Sequence, residues 1–197
     1  MEVFNKTTRK SEAGFSLLEL TIAMGITLAV MAAASTLLAT SLRTRSRENT
    51  RSDALASAQR ALNIMSREIG NSGYGLTDNG IVTADSAANS IRCRANLNND
   101  TDLSDLDEDV HFVFQSANGS IVRVDNSAGS VVLATSISAL TISYLDMSGN
   151  AATAATAERV NIDVRVDLPA GLEQPASVVR LVSDVALRNG PSTLQQF

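Results

Sequence analysis

Glu19 is the residue whose type and place most call for an explanation. It is the single ionisable side chain in the run Phe15 to Leu42, FSLLELTIAMGITLAVMAAASTLLATSL. A carboxylate beside hydrocarbon is costly and needs a compensating partner, so such a residue marks a function. A second candidate is the acidic segment Asn98 to Asp109, NNDTDLSDLDED, where Asp100, Asp102, Asp105, Asp107 and Asp109 offer hard oxygen donors. Calcium prefers such donors, about six to eight per ion. The segment lacks the central glycine and the terminal glutamate placement of an EF-hand loop, and a solvated acidic loop is the competing reading. His111 and Cys93 are the sole histidine and cysteine. No motif supplies His111 with a nucleophile to activate. There is no glycine-rich loop followed by Lys-Ser or Lys-Thr, and no zinc-ligand spacing. Cys93 has no partner for a disulfide within the chain and is expected to be a buried, idle thiol. The sequence thus points away from an enzyme, and calcium at the acidic segment is the sole cofactor it suggests.

The 197 residues suit one ordinary domain, and the formal charge of −5 comes without the clustered Lys and Arg that phosphate contacts need. No specific nucleic-acid partner is expected. Trp is absent and aromatic residues are few, so no stacking surface for bases or sugars is indicated.

The elements that position Glu19 come first in the chain. Residues 1–14, MEVFNKTTRKSEAG, are polar, with Lys6, Arg9 and Lys10 against Glu2 and Glu12. From Leu20 to Leu42 there is no charge. As a helix that stretch spans roughly 34 Å at 1.5 Å per residue, enough for a bilayer core of about 30 Å. It is too long for the apolar region of a cleaved secretory signal, and Glu19 argues against a plain anchor. Positive charge on the far side, at Arg43, Arg45, Arg47 and Arg51, is offset by Glu48 and Asp53. Flanking charge is therefore too balanced to set orientation. Arg43, Arg45 and Arg47 suit anchoring among lipid headgroups, and contact between subunits is the other role open to them.

The helix should not stop at Leu42. Residues 43–54 lack Pro and Gly, and Leu55, Ala58, Leu62, Met65 and Ile69 follow at alternating spacings of three and four. That is one apolar stripe of an amphipathic helix. Gly70, Gly73 and Gly75 end the pattern, so a single helix is expected from about Phe15 to Ile69. Strand-like runs come next: 90–95, 110–115, 120–125, 131–135, 140–146, 160–168 and 178–187. Val110–Gln115 and Ser120–Asp125 flank Ser-Ala-Asn-Gly and read as a hairpin. Val160, Ile162, Val164, Val166 and Leu168 alternate with Asn161, Asp163, Arg165 and Asp167, the pattern of a half-buried antiparallel strand. The expected class is α+β: an antiparallel sheet whose apolar face is covered by the Leu55–Ile69 stripe.

Gly14-Phe15-Ser16-Leu17-Leu18-Glu19, after a basic leader and before a long apolar helix, resembles the cleavage and methylation site of type IV prepilins and of the pseudopilins of type II secretion. The resemblance implies a pilin-like fold, with the C-terminal half of the long helix wrapped by the sheet. It implies a cleaved leader at 1–14, a transmembrane or filament-core helix at 15–42, its amphipathic continuation and glycine-rich end at 43–75, and an exported β domain at 76–197. It also implies cutting between Gly14 and Phe15 by prepilin peptidase, N-methylation of Phe15, and a role for Glu19 in assembly. The implied setting is the inner membrane, single-pass, with the leader cytoplasmic and the C-terminal domain periplasmic or extracellular. The implied partners are prepilin peptidase, other minor and major pilins or pseudopilins, and an inner-membrane assembly platform. Residues 62–74, LNIMSREIGNSGY, and the late Leu187-Arg188-Asn189 resemble minor pilins of the PilW type and the J-type pseudopilins. The membrane-helix proline and the paired cysteines of many major pilins are missing, which favours a minor subunit. A minor pilin that primes or joins a type IV pilus is thus the leading expectation, and a J-type minor pseudopilin the alternative. A membrane-tethered enzyme is a third class, for which the sequence carries no signal.

Overall fold

The computed structural model describes residues 14–100, 102–170 and 175–191. The chain divides into two compact units, Met1–Arg45 and Ser46–Phe197. One helix, α1, runs continuously from Leu17 to Gly70, close to the expected limits.

Within the first unit α1 is apolar and bare. The stretch long and apolar enough to cross a membrane has none of its residues buried. Leu17, Leu20, Ile22, Met24, Ile26 and Leu28 are all more than half exposed. A monomeric protein rarely leaves so large an apolar surface in water, so this surface requires lipid or neighbouring helices. The hydroxyls of the run do not oppose that. Thr21 donates to Leu18 O at 2.8 Å, Thr27 to Ala23 O at 2.7 Å, Ser35 to Met31 O at 2.8 Å and Thr36 to Ala33 O at 2.8 Å. Each is satisfied on its own helix, as hydrocarbon demands.

In the second unit, α1 buries Ala54, Ala58, Ala61, Leu62, Met65 and Ile69, with Leu55 half-buried beside them. The expected stripe is therefore present and broadened by two alanines. Both are buried with the rest of the stripe. Seven strands follow: β1 Ser90–Arg94, β2 Asp109–Gln115, β3 Ser120–Asp125, β4 Gly129–Ala134, β5 Ile137–Leu145, β6 Arg159–Leu168 and β7 Ser177–Ala186. All pair antiparallel. The β2–β3 hairpin closes through Gln115 opposite Ser120, as its turn residues predict.

The strands form two sheets, β1-β2-β3-β4 and β5-β6-β7, where periodicity suggested one. The break falls between β4 and β5, where Ser136 takes a left-handed φ of 62°. Register also shifts between Ile137 and Ala139 on β5 and between Ile121 and Val122 on β3. A tight bend flanked by bulges turns β5 away from the β4 ladder. Phe112, Ile121, Ile91, Val160, Ile162, Val164 and Val166, from both sheets, join the α1 stripe in one core. The fold is α+β, a long helix with antiparallel sheets.

Alternation on β6 holds, with one exception. Asp163, expected to face outward, is buried because β6 is the central strand of its sheet, and Arg180 on β7 donates to its Oδ2 at 2.8 Å.

Candidate functional site

Gly14, Phe15 and Ser16 precede α1 without helical structure. Ser16 caps the helix: its Oγ accepts from Leu18 N at 3.3 Å and its carbonyl accepts from Leu20 N at 3.1 Å. Serine is a favoured residue for this position because it satisfies an otherwise orphaned amide. The Gly14–Phe15 bond therefore lies ahead of the helix, in exposed backbone without regular structure. Nothing approaches within 4 Å of where a Cβ on Gly14 would sit, and Phe15 is 86% exposed.

Glu19 falls in the first turn of α1, where the helix dipole favours a negative charge. Ser16-Leu17-Leu18-Glu19 also has the spacing of a capping box, but only the serine half forms. Glu19 is exposed and makes no hydrogen bond or ion pair with another described residue. The geometry offers an exposed Gly14–Phe15 segment, a capped helix start, and an exposed carboxylate one turn further on.

At the other end of α1 the two segments that resemble minor subunits meet. Asn189 Nδ2 donates to the carbonyls of Gly73, Leu76 and Asp78 at 2.7, 2.9 and 2.8 Å. Arg188 N donates to Gly70 O at 3.3 Å. Gly80 is fixed inside this knot, with φ of 70° and no room for a side chain, since a Cβ would lie 2.2 Å from Gly73 N. Sequence reading singled out both segments without showing that they touch. The signal was the asparagine itself, whose amide can close several carbonyls of a turn that has lost its helical partners.

The acidic segment separates into two populations. Asp107 and Asp109 are committed to arginines. Arg92 Nε and Arg94 Nε donate to Asp109 at 2.7 and 3.1 Å, and Arg123 Nη2 pairs with Asp107. Burial raises the Asp109 carboxyl, but the Arg92 and Arg94 guanidiniums outweigh it and hold the group below its usual range. Asp102 folds back on Ser104, accepting from its N and Oγ at 2.9 and 2.8 Å. Asp100 and Asp105, in contrast, come together with Glu108, one carboxylate oxygen of each lying within 4.8 Å of the others. Glu108 was not among the residues singled out from sequence. By sequence it is only part of the acidic segment before the strand at 110–115, yet it is buried.

The two remaining reactive residues sit in the β unit. Cys93 on β1 is buried, and burial pushes its thiol up to about 12, so it is protonated and unreactive at neutral pH. His111 lies half-buried on β2, opposite Arg92 and Val124.

Residues 9–35 match the family described as the prokaryotic N-terminal methylation motif. That span contains Gly14, Phe15, Glu19 and the first half of the apolar run. No curated protein matches the chain. The motif at the head of a long apolar helix, with antiparallel sheets following it in the chain, supports a type IV prepilin-like protein. Proteins of this class are generally structural subunits, and the exposed N-terminal helix fits a single-pass membrane anchor.

Proposed function

We propose that the protein is a minor pilin, a structural subunit that primes or joins a type IV pilus. In this reading it is inserted in the inner membrane with residues 1–14 in the cytoplasm and the β unit exported. Prepilin peptidase cuts between Gly14 and Phe15, and the new amino terminus at Phe15 is methylated. The apolar part of α1 then passes from lipid into the shared core of a filament, among other minor and major pilins gathered by an inner-membrane assembly platform. The observation that carries the reading is the methylation motif at the head of a helix whose apolar stretch is wholly exposed. One surface can serve both environments because each is apolar. The joined segments 62–74 and 187–189 and the single cysteine favour a minor over a major subunit.

The expected result of deleting the gene is loss of surface pili, measured by electron microscopy and by the mass of sheared filaments, with type II secretion intact. The subunit itself should be found by mass spectrometry in sheared pili at a small fraction of the major pilin. Normal piliation with blocked export of secreted enzymes would overturn the pilus assignment in favour of a J-type pseudopilin.

A further inference from the structure

The loop between β1 and β2 contains six carboxylates among its described residues and the first residue of β2, and the structure treats them unequally. Asp107 and Asp109 have arginine partners, yet among the described residues no arginine or lysine pairs with Asp100, Asp105 or Glu108. These three are also the ones brought to a common point, with one oxygen of each within 4.8 Å of the others. Oxygens that share an ion at about 2.4 Å can be at most about 4.8 Å apart, so the spread fits a single calcium coordination sphere.

An acidic cluster alone would be a solvated loop. Two buried oxygens distinguish this one. Glu108 is 2% exposed; its Oε1 accepts from Leu97 N at 2.7 Å and from Asn98 N at 3.3 Å, while its Oε2 is buried with no partner. Asn96 is 7% exposed, and its Oδ1 is likewise buried with no partner. Its Nδ2 donates to the Asp100 carbonyl at 2.6 Å, which holds the amide against the same loop. A buried carboxylate oxygen with neither donor nor cation is costly, and Glu108, grouped with two further carboxylates, is a concentrated demand for positive charge, with the unpartnered amide oxygen of Asn96 held on the same loop. The one group that bridges the cluster is a neutral donor: Asn98 Nδ2 reaches Asp100 Oδ2 at 2.9 Å and Asp105 Oδ2 at 2.7 Å.

We infer that Asp100, Asp105 and Glu108, with the amide oxygen of Asn96, form a calcium site on the β unit. All four donors are hard oxygens, and no thiol or imidazole belongs to the group, which excludes a zinc-type preference. An ion takes over the two oxygens bridged by Asn98, neutralises Glu108 and ties both ends of the β1–β2 loop to the start of β2. Water completes the shell. The site is independent of processing and assembly at Gly14, Phe15 and Glu19.

The test is calorimetric titration of the detergent-solubilised full chain, freed of metal by chelator, with calcium chloride and separately with magnesium chloride. The expected result is one calcium per chain with Kd of about 10⁻⁴ to 10⁻³ M, the range of extracellular modules, and at least about tenfold weaker magnesium binding. Asp105 is exposed and can be changed without disturbing the core. Asp105→Asn should weaken calcium binding at least about tenfold, and Asp102→Asn, a change of equal charge nearby, less than about threefold. Glu108→Gln should also abolish binding, with circular dichroism confirming that the sheets persist. Absence of saturable heat at about 10 mM calcium, well above that range, would overturn the site. Equal losses in the Asp102 and Asp105 variants would overturn it too, as they would show only diffuse attraction to an acidic loop.

Discussion

Glu19→Ala is expected to leave the protein folded, membrane-inserted and at least partly cleaved, and to remove it from filaments. Glu19 lies one turn beyond Phe15 on the part of α1 that is bare of contacts. In lipid its carboxylate is near the headgroup level, where solvation is tolerable. In a filament core it is surrounded by apolar helices, and the available cation is the α-amino group of an adjacent subunit. That group exists at Phe15 only after the Gly14–Phe15 bond is cut, so cleavage creates the partner and docking compensates the charge. Removing one member of a desolvated charge pair costs about 3–5 kcal/mol, because the other is left buried alone. Recovery of partner pilins with tagged Glu19→Ala protein should therefore fall at least about a hundredfold, at roughly 1.4 kcal/mol per factor of ten. Glu19→Gln separates this role from capping. Glutamine completes a capping box as well as glutamate does, so a capping role predicts near-normal recovery and charge pairing predicts a loss close to that of alanine. Equal recovery of partners by all three proteins at equal expression would refute the pairing.

Arg123→Ala should have the largest effect on the stability of the β unit. Arg123 on β3 is 13% exposed and serves three carboxylates at once. Its Nε donates to Glu68 Oε2 of α1 at 2.9 Å and its Nη1 to Asp125 Oδ2 at 3.1 Å, while its Nη2 pairs with Asp107. The planar guanidinium fork allows this, and an ammonium does not reproduce it. Truncation leaves the buried Asp125 without its cation and Glu68 with only the exposed Arg67 at 3.8 Å, a loss of about 3 kcal/mol. Urea unfolding of the full chain in detergent, followed by tyrosine emission, measures it. Arg123→Lys should recover less than half, and a change below about 1 kcal/mol would show that the network is solvent-screened.

Acid unfolding supplies a second reading of the same cluster. Burial raises the Asp125 carboxyl, but the amides of Ser127 and Ala128, the Ser127 hydroxyl and the Asp107 amide outweigh it and hold the group at about 2. The folded value lies below the unfolded one of about 3.9. The stabilisation is therefore present above about pH 4 and is lost as pH falls toward 2.

Legibility from sequence followed chain locality. The continuous helix, the hairpin at Ser120 and the alternation of β6 depend on neighbours a few residues apart, and periodicity exposes them directly. Ala54 and Ala61 escaped the apolar stripe because a methyl carries little hydrophobic signal. The division into two sheets depends on Ser136 adopting a positive φ, which serine rarely does, so nothing in its identity announces the bend. Asp163 looked outward by alternation and is buried because Arg180, distant in sequence, pairs with it. At the N-terminus Gly14, Phe15 and Glu19 stand out because they belong to a linear motif, and the family match at 9–35 spans them. The acidic segment was legible only as composition, since arginines from β1 and β3 decide which carboxylates are already neutralised.

The central claim is that this chain is a precursor whose function begins with a cut at Gly14–Phe15. Intact mass measurement of the protein recovered from membranes of a host carrying its prepilin peptidase tests it most directly. The account predicts a mature species that lacks residues 1–14 and carries one methyl group on the amino nitrogen of Phe15, with the uncut form accumulating when the peptidase is removed. A membrane-bound species that retains residues 1–14 in the presence of active peptidase would contradict it.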